Sequence, residues 1–260
     1  MFPTIYDFGI VNIFGFRFPL AIHSFGFMLV VAFYTTYFIL QRDLKNLKYK
    51  ENLASDLVFW AALGGILGSK IYHLLENLDQ VFDDPVGMIF SGSGLVFLGG
   101  LIGGTISVSV ILHKNKLPWL VFADIVAPLL ILGYGIGRIG CFLVGDDYGI
   151  PTSLPWGLSF PNGLPPSTTR VFELYYPWID VSTYESGLLK VHPTQIYESL
   201  ICILIFIFLY KFRKRFKNIG SLFFIYLILA GIERFSIEFI RTNEKYFLET
   251  FSGAQIISFF

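Results

Sequence analysis

Several charged residues lie in apolar stretches, and the types of four of them suit an anion-binding site. Arg138 lies near the end of one stretch, and Arg234, Glu238 and Arg241 lie in another. Ionisable residues inside membrane helices cost about 2.5–3.5 kcal/mol each on insertion scales, so they indicate a function by default. Arginine binds phosphate bidentately and keeps its charge when it is removed from water. These residues therefore predict a site for a phosphate-like anion.

The spacing of the later three residues predicts that they share one face of a helix. Arg234, Glu238 and Arg241 are placed at i, i+4 and i+7, so Arg234 and Glu238 can pair along the helix. Ion pairs that only hold helices together are the alternative. Four glycines within residues 133–140 favour a site, because glycine weakens a helix and a thinned helix is tolerated where it lines a cavity.

The composition indicates that the chain lies partly in a lipid environment, and it excludes several classes of protein. The 260 residues are 54% hydrophobic and 15% charged, with 19 basic residues against 19 acidic ones. This balance gives no basic excess for nucleic acid, and the apolar content excludes a disordered chain. Two cysteines cannot make a disulfide scaffold. The chain is therefore expected to be a membrane protein.

The apolar stretches predict an all-α polytopic fold of about seven transmembrane helices in a single domain over residues 1–260. A bilayer core of about 30 Å needs roughly 20 apolar residues of helix. Six predicted spans cover residues 19–40, 57–75, 88–112, 120–142, 196–210 and 222–240, and a seventh starts near residue 254. Residues 1–17, rich in aromatics and with Gly9 and Gly15, are expected to form an arm at the membrane interface.

The distribution of Lys and Arg predicts the orientation. Loops one, three and five carry the basic clusters, including residues 211–217. Loop two carries acidic residues and no Lys or Arg. Positive loops stay in the cytoplasm, so the N-terminus is expected outside, with a long external cap at residues 143–191 between helices four and five. At the outer depth of Arg138 and Arg241, the expected anion is a phospholipid headgroup.

Glycines at i, i+4 spacing predict close packing between helices. They form three pairs, namely Gly64 with Gly68, Gly99 with Gly103, and Gly133 with Gly137.

Three stretches resemble the prolipoprotein diacylglyceryl transferase family. Residues 137–149 resemble its signature, in which Gly-Arg opens a segment that leads to an acidic residue and a closing Gly. Residues 192–198 are similar to its His-Pro-Ser/Thr-Gln-Leu-Tyr-Glu stretch, and residues 234–241 resemble its Arg-x-x-x-Glu-x-x-Arg. Weaker matches lie at residues 68–70, 99–103 and 253–258, so the resemblance covers nearly the whole chain.

The resemblance implies transfer of the diacylglyceryl group of phosphatidylglycerol to the lipobox cysteine thiol of a preprolipoprotein, with release of glycerol phosphate. Because the nucleophile belongs to the substrate, the enzyme has to hold the phosphate and help form the thiolate. Arg138 and Arg234 would then hold the phosphate with support from Arg241, and Glu238 would orient the arginines. Asp146 would hold headgroup hydroxyls or the loop. The matching motifs also imply substrate binding by Gly137, Gly149, Gly99, Gly100, Gln195, Tyr197 and Glu198.

The chain departs from the family pattern at several positions. The signature usually has Asn where this chain has Cys141 and Val144, and Glu where it has Asp146. Leu98 and Phe25 replace the usual His and Tyr, which are the family's favoured proton-handling groups.

These losses leave the general base open. His192 is the preferred substitute among those at the outer face because histidine titrates near neutral pH, with Asp147 and His73 as alternatives. His192 could instead cap the fifth helix, and Cys141 is expected to be a small buried side chain and not a nucleophile.

Two functions are consistent with the sequence. The favoured one is an active transferase of a bacterial inner membrane, with its active site toward the outer leaflet and no metal or other cofactor. Its partners would be phosphatidylglycerol, the lipobox segment and membrane lipid, without nucleic acid. The alternative is a membrane protein of the same fold that binds or moves anionic phospholipid without transferring it, and an unrelated transporter is a distant third.

Overall fold

The computed structural model describes residues 1–13, 16–90, 96–245 and 251–259. Three parts of the predictions lie outside them, namely Gly15 of the predicted arm, residues 91–95 of the predicted third span, and Phe260. The described chain forms two compact units, residues 1–36 with 127–260, and residues 37–126. That the whole chain is one transmembrane domain stays a prediction.

The chain is mostly helical, and five described helices are long and apolar enough to cross a membrane. They are α1 (Ser24–Asn46), α2 (Leu53–Glu76), α5 (Phe97–Lys114), α6 (Trp119–Val144) and α8 (Thr194–Phe212), which the 3₁₀ turn Arg213–Arg215 extends. The shorter helices are α3 (Leu78–Asp83), α4 (Pro85–Phe90), α7 (Thr169–Tyr175), α9 (Ser221–Ile237) and α10 (Gly253–Phe259). The prediction of a polytopic, helical membrane protein is confirmed.

The last two predicted spans form helices that are shorter than the roughly 20 residues needed to cross a bilayer. The α9 helix has 17 residues and continues into the 3₁₀ turn Glu238–Ile240, and α10 has 7 described residues. A count of seven spans therefore goes beyond what the described helices show.

The prediction for the first span is wrong at its N-terminal end. Residues 19–23 belong to a β-hairpin of β1 (Thr4–Ile13) and β2 (Phe16–His23), and α1 begins at Ser24. The hairpin is joined to the helices by three bonds. The Phe2 amide donates to the Leu143 carbonyl, the Ser24 amide donates to the Pro3 carbonyl, and the Ser24 hydroxyl donates to the Phe2 carbonyl. These bonds place the start of the hairpin beside the C-terminal end of α6.

Glycines bring α2 and α5 together within the unit of residues 37–126. A Cβ on Gly64 would lie 2.7 Å from the Gly103 carbonyl, and a Cβ on Gly103 would lie 2.9 Å from the Gly68 Cα. Gly99 likewise meets the backbone of Gly68. The predicted packing of these two glycine pairs is confirmed, and it follows from backbones that approach where no side chain intervenes.

The glycine-rich run of α6 does not break the helix, contrary to the expectation of a thinned segment. The α6 helix is continuous to Val144. Its glycines admit neighbours instead, because a Cβ on Gly135 would lie 2.8 Å from Cys202 Cβ, and one on Gly140 would lie 3.1 Å from Met28 Cβ. Gly133 and Gly137 were expected to pack together against a neighbouring helix, but a Cβ on Gly137 would meet no described atom beyond its own helix within 4 Å.

The predicted cap at residues 143–191 is folded around its own core. That core consists of Tyr148, Phe160, Phe172, Val181, Leu189 and Val191. Isolated bridges join Pro151 and Leu158 to Val191, and the Ser167 hydroxyl donates to the Leu189 carbonyl at 3.0 Å. A segment that looks irregular in sequence is therefore folded and packed on its own buried side chains.

Candidate active site

The candidate site forms where α6 ends, where α8 begins and where α9 ends. Gly145 ends α6 with φ +76°, a left-handed conformation that suits glycine. Asp147 follows with φ +57°. These turns bring the acidic pair Asp146 and Asp147 back over the last turns of α6, close to Arg138.

The centre of the site is a cluster of two arginines and two carboxylates, of which both arginines and one carboxylate are buried. Glu198 forms ion pairs through one oxygen with Arg138 Nε and through the other with Arg241 Nη1, the latter at 3.1 Å. Asp147 closes the ring from the other side, with Arg138 Nη1 at 2.8 Å and Arg241 Nη2 at 2.9 Å. Two guanidinium groups from different helix ends are thus fixed side by side, and we call these four residues the arginine–carboxylate ring.

Burial differs sharply between the members of the ring. Arg138 is 6% exposed and Glu198 is 0% exposed, whereas the side chain of Asp147 is 45% exposed. The Tyr134 hydroxyl adds a hydrogen bond to Glu198 at 3.0 Å. Glu198 is therefore the fixed inner anchor of the arginines, and Asp147 is their outer partner.

Arg234 and Glu238 form the predicted i, i+4 pair, at 2.8 Å. Glu238 is fully buried, and its other oxygen accepts from Ser252 Oγ at 2.7 Å and from Asn243 Nδ2 at 2.6 Å. Arg241 Nε lies 3.9 Å from Glu238, so Glu238 stands between the two arginines, and its predicted role of orienting them stays a prediction. Arg234 contacts the ring only through Glu238 among the described residues.

Two residues of the His192–Glu198 stretch hold the acidic pair by its backbone. Thr194 Oγ1 donates to the Asp147 carbonyl at 2.7 Å, and Gln195 Nε2 donates to the Asp146 carbonyl. Both side chains are fully buried. Gln195 thus positions the acidic pair, and Glu198 positions the arginines. That either residue binds substrate stays a prediction.

The pKa values of the two neighbouring aspartates are shifted in opposite directions. Burial and the charge of Asp147 raise the pKa of Asp146 to about 6. Burial also acts to raise the pKa of Asp147, but the charges of Arg241 and Arg138 and the hydrogen bonds from both outweigh it, so that this pKa is about 2. Asp147 is thus a weak base while it pairs with both arginines, and Asp146 is the stronger proton acceptor of the two.

His192 does not join the ring. Its Nδ1 lies 3.5 Å from the Tyr197 hydroxyl, and burial lowers the pKa of its imidazole. The alternative that its side chain caps the helix is wrong, because the N-cap of α8 is Pro193 and the cap makes no side-chain hydrogen bond. The predicted catalytic role of His192 and the binding role of Tyr197 stay predictions.

The four glycines predicted to bind substrate occupy different surroundings. A Cβ on Gly149 would lie 2.8 Å from Thr194 Cγ2 and 2.9 Å from His192 Cβ, so only glycine fits beside the ring at this point. Gly149 also pairs with Arg241 in an isolated bridge. Gly99 and Gly100 pack on α2 in the other unit, where a Cβ on Gly100 would lie 2.5 Å from Ser69 Oγ. Their binding role and that of Gly137 stay predictions.

Sequence reasoning named Asp147 only as a possible base and missed its bridging role. It also gave no role to Glu233, which is 5% exposed and has one oxygen without a hydrogen bond to any described residue. The signal for Asp147 was an acidic doublet directly after a helix end, two turns beyond Arg138. The signal for Glu233 was a charge within an apolar helix.

One group of described residues could hold a metal ion. Ligand atoms of Cys141, Asp146 and Asp147 all lie within 4.8 Å of one another. However, Arg138 Nη1 lies 3.4 Å from Cys141 Sγ and 2.8 Å from Asp147 Oδ2. The guanidinium already supplies positive charge there, so a divalent ion would have to displace it.

The helices and the ring together define a class, an integral membrane protein with buried arginines at the ends of its helices. The sequence model of the family described as prolipoprotein diacylglyceryl transferase matches residues 12–260. The chain therefore belongs to the prolipoprotein diacylglyceryl transferase family.

Individual relatives agree with this assignment. The chain is 31% identical over 243 residues to phosphatidylglycerol–prolipoprotein diacylglyceryl transferase of Clostridium tetani, covering 94% of this chain and 90% of that protein. It is 34% identical over 244 residues to the protein of that name from Shewanella oneidensis, covering 92% and 82%. The enzyme of that name from Aeromonas salmonicida is 33% identical over 250 residues, covering 92% and 82%.

Proposed function

We propose that this chain transfers the diacylglyceryl group of phosphatidylglycerol to the thiol of a prolipoprotein lipobox cysteine. The observation that carries the proposal is the arginine–carboxylate ring, in which Arg138 and Arg241 lie side by side at the ends of two helices. The names of the relatives supply the two substrates.

The chemistry explains why arginines are needed. The thiolate attacks the glyceryl carbon that carries the phosphate ester, so a C–S bond forms while the C–O bond to the phosphate breaks. The electron pair of the broken bond stays on the phosphate, which passes from one negative charge to two. Fixed guanidinium groups that are themselves buried stabilise this increase in charge. The thiol proton goes to a base, and Asp146 suits this role because its half-buried carboxyl has a pKa raised to about 6.

The ring is placed on the outer side of the membrane by the proposed orientation. The basic residues 211–217 join α8 to α9 at the ends opposite Glu198 and Arg241. Positively charged loops stay cytoplasmic, so the ring faces outward, where a lipobox cysteine arrives after export of its precursor. This orientation, an N-terminus outside, seven crossings and residence in a bacterial inner membrane form one consistent proposal.

The alternative is binding of anionic lipid without transfer. It is favoured by Leu98 and Phe25, which carry no titratable proton at the positions where the family usually has His and Tyr. Both functions need the arginines, and only transfer needs a proton acceptor.

The test is a transfer assay with purified protein, phosphatidylglycerol and a lipobox peptide. Diacylglyceryl peptide and glycerol phosphate are expected in equal amounts. Arg138→Ala should abolish both products, and Arg170→Ala, the same change at an exposed arginine of α7, should leave them unchanged. Lipid binding without either product in wild-type protein would instead establish the alternative.

A further inference from the structure

Asp147 holds the two arginines in the way that a phosphate would. Each of its two oxygens takes one guanidinium, with Oδ2 on Arg138 Nη1 at 2.8 Å and Oδ1 on Arg241 Nη2 at 2.9 Å. A phosphodiester also presents two free oxygens that share one negative charge. Because guanidinium groups bind carboxylate and phosphate with the same fork of donors, the two anions suit the same place.

The two carboxylates of the ring differ in how easily they can leave it. Glu198 is fully buried on α8, and both of its oxygens are engaged, one of them also by Tyr134. Asp147 lies in the turn after α6, and its side chain is 45% exposed. Its backbone stays fixed through the bond from Thr194, so the side chain can turn toward water while the loop holds its place.

Charge balance requires such an exchange. Arg138 and Arg241 carry two positive charges, and Glu198 and Asp147 carry two negative ones. A phosphodiester added to this ring would leave one buried negative charge without a partner, which is strongly unfavourable. Exchange of Asp147 for the phosphate keeps the ring neutral.

The arginines also have donors to offer a larger anion. Arg138 Nη2 and Arg241 Nε are buried and make no hydrogen bond with any described residue. A tetrahedral phosphate can reach such additional donors, whereas the planar carboxylate of Asp147 holds only one nitrogen of each arginine.

We propose that Asp147 is an internal competitor for the phosphate site, which phosphatidylglycerol must displace from Arg138 and Arg241 before transfer. The competitor sets the affinity for the lipid and keeps the arginines paired when no lipid is bound. This inference rests on the proposed function, because that function supplies the phosphate.

The test measures two constants for phosphatidylglycerol. One is the Kd for this lipid, measured directly in detergent micelles without peptide, and the other is its KM in the transfer assay. Asp147→Asn is expected to lower both constants about tenfold, since an amide competes more weakly for a guanidinium than a carboxylate does. Asp147→Glu keeps the competing charge, so its constants should not fall below those of wild type. Asp180→Asn, at an exposed aspartate of the cap, should leave both constants unchanged.

Asp147→Ala provides a second variant should the amide disturb folding, and it should also tighten lipid binding. Unchanged or weaker lipid binding in the folded Asn or Ala variant would overturn the inference and make Asp147 a residue that only positions the arginines. Binding is measured without transfer, so a wild-type protein that binds lipid but forms no product would contradict the proposed function and leave this test intact.

Discussion

Glu198→Gln tests whether the inner carboxylate balances the charges of the two arginines. The substitution keeps the size of a side chain that is 0% exposed, removes its charge between Arg138 and Arg241, and replaces one accepting oxygen by an NH2 donor. Removal of one partner from a buried ion pair costs about 3–5 kcal/mol. We expect the lower end, about 3 kcal/mol, because Asp147 still pairs with both arginines. At about 2–4 °C per kcal/mol, Tm should fall by about 6–12 °C.

The two free cysteines provide the assay. Cys141 and Cys202 are both buried, so a thiol-reactive dye reports unfolding of the detergent-solubilised protein during heating. Glu185→Gln makes the same change at an exposed glutamate of the cap and serves as the control. Equal Tm values for the two variants would refute the reasoning, since Glu198 would then carry no charge that the arginines need.

Three further predictions concern single residues of the site. Arg138→Lys should lower transfer on the order of 10²–10³-fold while the protein stays folded, because an ammonium lacks the fork that spans two carboxylates; a transfer rate near wild type would contradict this. Gly149→Ala should lower Tm and lipid transfer together, because its Cβ would meet the Ile240 carbonyl and fixed side chains, whereas Gly253→Ala has open space and should change neither. The folded state raises the pKa of Asp146 to about 6, so its contribution to stability is greatest below pH 4 and is lost as pH rises toward 6. Asp146→Asn should therefore flatten the dependence of Tm on pH between about 4 and 6, and it should remove a rise in transfer rate near pH 6 if this carboxylate accepts the thiol proton.

Local periodicity accounts for the parts of the site that the sequence predicted correctly. Arg234 and Glu238 are four residues apart on one helix, so their ion pair needed no knowledge of the fold. The glycine pairs of α2 and α5 are local patterns of the same kind. Arg138 and Arg241 both lie near helix ends, and they share the partners Glu198 and Asp147, while their depth in the membrane stays a prediction.

The contacts that the sequence did not reveal join distant parts of the chain. Glu198 meets Arg138 across 60 residues of sequence, and Asp147 reaches Arg241 only because the turn after α6 adopts two left-handed conformations. The hairpin was missed for a different reason. Residues 19–23 are apolar enough for a membrane helix, and hydropathy alone does not separate a short strand from the start of a helix.

The charge balance of the ring also decides how its arginines can act in transfer. Arg138 and Arg241 are matched by Glu198 and Asp147, and Arg234 is matched by Glu238, so these six residues carry no net charge to attract lipid. After exchange of Asp147 for a phosphodiester, the ring is again neutral in the ground state. When the C–O bond breaks, the phosphate gains a second negative charge, and Arg138 Nη2 and Arg241 Nε are donors that make no hydrogen bond with any described residue. Stabilisation then grows as the reaction proceeds, and only stabilisation of that kind accelerates the chemical step.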